Sequence, residues 1–506
     1  MSFSRRPITI VEIDQDFCCH TYGEGQCTAQ LGMISARKCF NTFATCQDHA
    51  NYSPEPLTLR FGMANADLPQ DEYVIPSLRS VSTSPTRINV GGRQSRDKPL
   101  GRRAEVRIQL QDHPHSDNVV DPYVSERDYN PLERGTFWAK WIKRNPYYQN
   151  RPLRVREGFA GQPIDQMQSR EYRIDLVAGP DSNGRVTIRA QDILRLADDD
   201  KAQAPLQSTG ELLADISETA TSLTITQAEQ SDYEQTNAVA ISDEVIRYGS
   251  ITTDGNGDVV LSSLTRGSDG TEASEHEAGD TVQACLEYIS VPPWEVARDL
   301  LVEYGNVPSQ YIPFADWEDE ADRWLTGFTV SRLITEPIGV TTLLGELSEQ
   351  SLFYIWWDEL TQRIEFKVVA PVIGQVPLIT QEGNLLQNQT KVDVKPELRA
   401  SEVWVNFLER NPTESKDDRQ NFRRTRVRID ETAASPHEYG ERRRYEVYSR
   451  WLETDAQVDI LAQRLLDRYR TPPVFLKFAL DIKDRGLIKT GDPFDIEYKG
   501  FTDETG

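Results

Sequence analysis

The sequence predicts a mainly β protein with α+β parts: serial β-barrel or sandwich domains, a small inserted β lobe, and a loop-rich, metal-stapled N-terminus. Three observations predict it. Segments such as 104–112, 170–179 and 184–192 alternate apolar and polar residues with period two, flanked by Gly, Asp, Asn or Pro. Charge is unevenly spread over 506 residues of net charge −24. Residues 1–200 carry 26 basic and 26 acidic side chains, residues 201–290 carry 3 and 16, and the last 216 carry 27 and 38. Five of six cysteines lie within the first 46 residues. The length suggests three to five domains at roughly 100–200 residues each. They read as a cysteine-rich segment (1–60), a first β domain (61–204), an inserted acidic β lobe (205–290), an α+β domain (291–394) and a third domain (395–506).

Composition excludes several classes. An apolar share of 38% supports several cores and excludes wholesale disorder. No run of about 18 apolar residues occurs, so no membrane-spanning helix is expected. The opening MSFSRRPITIVEIDQDF lacks a signal-peptide apolar stretch. A surface this acidic repels phosphate backbones and predicts no tight nucleic-acid binding.

In chain order, the first element is the cysteine cluster: Cys18, Cys19, Cys27, Cys39 and Cys46, spaced C-x8-C-x11-C-x6-C if Cys18 leads. Three explanations compete. Disulfides suit an exported module, but an odd cysteine would be left over. Zinc favours short C-x2–4-C knuckles, which are missing. An iron–sulfur cluster tolerates longer, irregular spacing. Free thiols are the bland alternative. Tyr22-Gly23-Glu24-Gly25 and Asp48–Tyr52 read as turns, and His20 and His49 flank the cysteines as hydrogen-bonding side chains. So little periodicity cannot bury much core, hence the need for a staple.

IDQDFCCHTYGEGQC followed by KCFNTFATCQDHANY resembles the cysteine-rich N-terminal segment of tail-tip (baseplate) hub proteins of long-tailed bacteriophages and gene transfer agents. The resemblance continues in GTFWAKWIKRNPYYQNRPLRVREGF (135–159) and in the RG-x-x-GT-x-A-x-x-H pattern at Arg266–His276. It implies an iron–sulfur cofactor, a 4Fe-4S cluster with zinc as second choice, held by Cys18, Cys27, Cys39 and Cys46. It also implies a homotrimeric virion protein at the distal tail tip, assembled in the host cytoplasm. β-barrel-like hub domains would form a ring beneath the tail tube. The implied neighbours are the distal tail protein, the tape-measure protein and receptor-binding fibres.

Between the β segments 104–112 and 170–179, Trp138, Trp141, Tyr147 and Tyr148 interleave with Lys140, Lys143 and Arg144. Such interleaving can stack nucleic-acid bases, but a short helix with packed aromatics is the plainer reading. Pro180–Gly184 reads as a hairpin loop. SLTIT, AVAISDEVIRYG, ITTDGNGDVVLSSLTRG and DTVQACL make the acidic lobe a compact barrel or sandwich. Cys285 there reads as a buried small hydrophobe. Asp254-x-Asn256-x-Asp258 lacks the glycine and distal Glu of a calcium loop.

From Pro292-Pro293 the pattern turns helical: WEVARDLLVEYG puts Val296, Leu300 and Leu301 on one face, with Gly305 at the C-terminal cap. Thr341–Glu349 predicts a second helix, 351–370 a hairpin around Asp358–Gln362, and Thr454 the N-cap of a helix through Arg470. The ending FTDETG breaks off within a strand and turn, which predicts a longer chain.

No catalytic constellation stands out. G-x-S-x-G, H-E-x-x-H and P-loop motifs are absent, and Gly91-Gly92-Arg93 is a plain loop pair. Glu346 and Glu349 form one of many chance carboxylate pairs. The expected role is therefore structural and non-enzymatic. The alternatives are an iron–sulfur oxidoreductase with accessory domains, or an adhesin lobe using Tyr233 and Tyr248 as platforms.

Overall fold

The computed structural model describes residues 6–500 apart from 70–71, 85, 90–99, 199–201, 234–236, 387–388, 436, 438–440, 482–483 and 485–486. Gly91-Gly92-Arg93 and the terminal FTDETG therefore lie outside the described residues. The fold mixes α and β, with a closed seven-stranded barrel and several small sheets. Two compact units divide the chain. The first comprises Met1–Arg87, Arg102–Leu196 and Trp357–Ile364, and the second comprises Ile88–Gly101, Ala197–Trp356 and Glu365–Gly506.

The first unit is the barrel. Its strands are β1 (Pro7–Cys18), β2 (Pro54–Met63), β3 (Val74–Ser84), β4 (Glu105–Gln111), β5 (Pro152–Phe159), β6 (Gln168–Ala178) and β7 (Arg185–Gln191). They run in the order β1-β2-β3-β4-β7-β6-β5, and β5 closes back onto β1. All neighbours are antiparallel except β2 and β3. The period-two alternation sends Val106, Ile108 and Leu110 of β4, and Val186, Ile188 and Ala190 of β7, into one core.

A helix, α1 (Phe137–Arg144), adds Phe137, Trp138 and Trp141 to that core. Asp112 starts it by accepting the Trp138 N–H at 2.8 Å. Both indole N–H groups are satisfied inside: Trp138 donates to Ser77 Oγ at 2.9 Å and Trp141 to Gln15 Oε1 at 2.7 Å. The tryptophans are thus packing residues, not stacking platforms. Two cations of α1 pair locally: Lys140 and Arg144 reach the two Asp117 oxygens at 2.7 and 2.8 Å.

The second unit begins with β8 (Gln203–Ala204) and then the acidic lobe. There, β9 (Glu211–Leu212), β10 (Ser222–Thr226), β11 (Ala238–Ile241), β12 (Glu244–Arg247), β13 (Ser250–Thr253), β14 (Val259–Ser262), β15 (Thr265–Ser268) and β16 (Gln283–Ala284) form two four-stranded sheets. Their orders are β13-β14-β10-β9 and β15-β12-β11-β16. Residues of both sheets, including Leu223, Ile225, Val239, Ile246 and Leu261, share one core. Tyr233 and Tyr248 are buried in it, so they offer no adhesin platform. Cys285 is fully buried, and burial pushes its thiol up to about 12.

After β17 (Leu286–Val291) comes α2 (Pro293–Asp299), with Pro293 in its first turn. The expected helix continues only as a π turn, Leu300–Tyr304. Gly305 ends it, at the expected C-terminal cap, with φ −83°, outside the left-handed region. Close approach explains the glycine: a Cβ there would stand 2.7 Å from the Leu301 carbonyl oxygen.

Then follow α3 (Phe314–Trp324), β18 (Val330–Ile334), β19 (Ile338–Gly339), α4 (Val340–Ser351), β20 (Phe353–Asp358), β21 (Arg363–Val368), β22 (Leu378–Thr380) and β23 (Lys391–Val394). A three-stranded sheet, β24 (Glu402–Glu409) between β25 (Phe422–Ile429) and β26 (Arg444–Tyr448), packs against α5 (Asp455–Tyr469). Thr454 caps α5, as the sequence predicts, and the Gln457 side chain returns the contact to the Thr454 N–H. The last strands are β27 (Val474–Lys477) and β28 (Asp495–Glu497).

Candidate functional site

The cysteine-rich stretch leaves the barrel at the end of β1 and re-enters at β2. Residues 19–53 hold only two short 3-10 turns, Phe43–Thr45 and His49–Asn51. Asn41 anchors their path. Its carbonyl accepts the Cys18 N–H at 2.7 Å, and its side-chain amide donates to the Cys18 carbonyl at 3.0 Å. Its φ of 53° is left-handed, a conformation that Asn tolerates.

Residues 117–127 supply the clamp. The Tyr22 N–H donates to the Tyr123 hydroxyl at 2.7 Å. Arg127 donates to the carbonyls of Lys38 and Cys39 at 2.7 and 2.8 Å, and grips both oxygens of buried Asp121 at 2.9 Å. The guanidiniums of Arg127 and Arg144 each lie 4.1 Å from the Phe40 ring centre.

Cys18, Cys27, Cys39 and Cys46 line one narrow pocket with Tyr22 and Asn41, holding about 10 Å³, room for a single water. The sequence therefore picks out side chains that the fold brings together. The cofactor is corrected. Among the described residues, no three His, Cys, Asp or Glu side chains are placed to hold a metal ion, so neither an iron–sulfur cluster nor zinc fits. All six cysteines are free, so disulfides do not replace it.

The thiols are engaged as ordinary polar groups. Cys39 Sγ donates to Asn41 Oδ1 at 3.4 Å, and Cys46 Sγ accepts the Asp48 N–H at 3.3 Å. Burial pushes both thiols up, and the charges of neighbouring cysteines add to it. Cys19 lies exposed beside His20 Nδ1 at 3.7 Å, and His49 Nε2 lies 3.2 Å from the Phe43 carbonyl. The expected staple is thus supplied by Arg127, Asp121, Tyr123 and Asn41. An Asp–Arg pair six residues apart carries no local pattern that would announce this.

A second node joins the Arg266–His276 pattern, which the sequence singles out, to Glu244, which it does not. Arg266, Gly267, Ser274 and His276 all converge on Glu244, which is 1% exposed. Arg266 donates from Nε and Nη2 at 2.8 and 2.7 Å, the Gly267 and Ser274 N–H groups at 2.8 and 3.1 Å, and His276 Nε2 lies at 2.8 Å. Burial raises the Glu244 carboxyl, but these donors outweigh it and hold the group at about 2. Ser274 and Glu244 both meet the same His276 nitrogen, so no proton relay runs through it.

The barrel carries a similar node. Buried Glu12 accepts from Arg60, Arg154 and Arg156 at 3.0, 2.9 and 2.7 Å. Glu346 and Glu349 are not a catalytic couple. Glu346 pairs with Arg332 at 2.7 Å and Lys416 at 3.0 Å, and Glu349 accepts from the Tyr445 hydroxyl.

No protein-family profile and no curated protein matches the chain. Solved structures similar to it include three tail proteins. The tail protein from Neisseria meningitidis MC58 is 10% identical, with 74% of this chain and 71% of that one covered, at a TM-score of 0.32. The 43 kDa tail protein of prophage MuSo2 from Shewanella oneidensis is 9% identical, with 74% and 71% covered, at 0.29. The prophage tail protein gp18 from Listeria monocytogenes EGD-e is 10% identical, with 70% and 78% covered, at 0.24. The similarity is distant, and scores this low assign neither family nor activity. Among the described residues, no helix is long and apolar enough to cross a membrane.

Proposed function

We propose that this protein is a structural, non-enzymatic virion component: the central hub of a phage-type tail tip, a homotrimer that closes the tail tube and organises the baseplate. One observation carries the reading. The stretches that resemble hub proteins are spent on architecture. Residues 135–159 build α1, with its buried aromatics, and β5, the strand closing the barrel on β1. The Arg266–His276 motif wraps one buried carboxylate, Glu244. The distal tail protein, tape-measure protein and receptor-binding fibres are the proposed neighbours. A net charge of −24 repels DNA electrostatically and would let it pass without sticking. No oxidoreductase reading accompanies this one, because the cofactor it needed does not fit.

The test is deletion of the gene in a producing strain. Particles with open or tailless tails, restored by the intact gene, are expected. Normal, infectious particles would overturn the proposal.

A further inference from the structure

A second narrow cavity lies in the first unit, about 10 Å³ in volume. Its walls include Gln15 of β1, Thr42 of the cysteine-rich stretch, Val120, and Trp141, Arg144 and Asn145 at the end of α1. Two segments far apart in the chain and one strand of the barrel therefore meet around it.

Trp141 fixes both amides in this wall. Its indole N–H donates to Gln15 Oε1 at 2.7 Å, which leaves Gln15 Nε2 over as a donor. Its backbone carbonyl accepts from Asn145 Nδ2 at 3.0 Å, which leaves Asn145 Oδ1 over as an acceptor. Gln15 is 2% exposed and Asn145 7%. Among the described residues neither leftover atom has a partner, and the two are not bonded to each other. Arg144 adds a further donor edge. Its Nη2 donates to Asp117 Oδ2 at 2.8 Å, while Nε and Nη1 meet no acceptor among the described residues. Buried polar ends of this kind cost free energy unless something bonds them.

The mixture of ends selects the occupant. Gln15 Nε2 and Arg144 only donate, and Asn145 Oδ1 only accepts. A cation would face the donors of Gln15 and Arg144. A halide would face Asn145 Oδ1 and the Asp117 carboxylate, which also lines the cavity. A water molecule accepts two hydrogen bonds and donates two, so it suits both kinds of end. The volume agrees, since one water takes about 10–15 Å³ of such space.

We propose that one ordered water binds in this cavity, accepting from Gln15 Nε2 and the Arg144 guanidinium and donating to Asn145 Oδ1. The Thr42 hydroxyl, 2.9 Å from Thr45 Oγ1, keeps a lone pair for the remaining hydrogen. The water thereby bolts the cysteine-rich stretch to β1 and α1, in addition to the Arg127 clamp. The site needs neither the thiols nor the virion role.

The test uses the full chain. Its crystal structure at high resolution should show one density peak within about 2.7–3.2 Å of both Gln15 Nε2 and Asn145 Oδ1. Val120→Ile pushes a methylene into the cavity from its apolar wall. It should remove the peak and lower the melting temperature by about 2–4 °C, because the leftover ends lose their partner. A dry cavity would instead gain contacts from the same filling. Should V120I not fold, the native map decides alone. A native map without that peak, or a V120I chain that melts at or above the native temperature, would overturn the proposal.

Discussion

Replacing Glu244 with Gln is the sharpest probe of the lobe. Glu244 Oε1 accepts from Arg266 Nε and the Gly267 N–H, while Oε2 accepts from Arg266 Nη2, the Ser274 N–H and His276. An amide nitrogen in place of either oxygen turns at least two of these contacts donor against donor. It also leaves Arg266, 6% exposed, without its counter-charge. Breaking a buried pair in this way costs about 3–5 kcal/mol.

The carboxyl's own titration gives a similar size. Its fall from the ordinary 4.5 to about 2 corresponds to about 3 kcal/mol. The sign follows from the depressed value: the stabilisation is complete above pH 4.5 and is lost as pH drops through 2. Hydrogen exchange over 238–268 reads the effect without disturbance from the first unit. At pH 7, E244Q should lose roughly a hundredfold of protection, and the gap to the native protein should shrink as pH approaches 2. A gap below about 1 kcal/mol at pH 7, or one indifferent to acid, would refute the reasoning.

Three further outcomes are expected. Arg127→Ala should cost about 3–5 kcal/mol and speed exchange and proteolysis across 37–47, because buried Asp121 loses its partner and two carbonyls lose their donor; unchanged protection there would count against the clamp. Thr454→Ala should lower stability by about 1 kcal/mol through loss of the α5 cap, measured by urea unfolding, while Thr454→Ser should be nearly silent. Elemental and acid-labile sulfide analysis of protein purified without oxygen should find less than stoichiometric iron and zinc, with thiol titration recovering six cysteines; iron and sulfide in matching amounts would restore the cluster.

What the sequence made legible was local. β4 and β7 announce themselves because one face of each strand is buried and the other is not, which writes period two into 104–112 and 184–192; in β6 the alternation holds only to Ile174, after which an irregularity leaves Leu176 exposed and buries Val177. Thr454 is readable as an N-cap because it stands just before an apolar-periodic run; the reciprocal contact from Gln457 emerges only in the structure. Cys285, embedded in TVQACLEYI, is readable as core for the same reason.

The rest depends on residues distant in the chain. Nothing near Glu12 predicts Arg154 and Arg156, more than 140 positions away, or a parallel β2–β3 pairing within the barrel. The cysteine cluster misled differently. Four thiols do converge on one pocket, but convergence is only half of ligation. The other half is ligand geometry, which spacing does not encode. The expected staple was a bound metal cluster; the structure holds the segment with side chains instead. Those side chains, Arg127 and Tyr123, lie about 90 residues downstream of the segment they hold.

The most direct test of the account is to locate the protein on purified particles. Antibodies against the barrel unit, carried on gold and viewed by electron microscopy, should decorate a single site at the distal end of each tail. Particles that contain the protein along the tube or in the capsid, or that lack it altogether, would contradict the account.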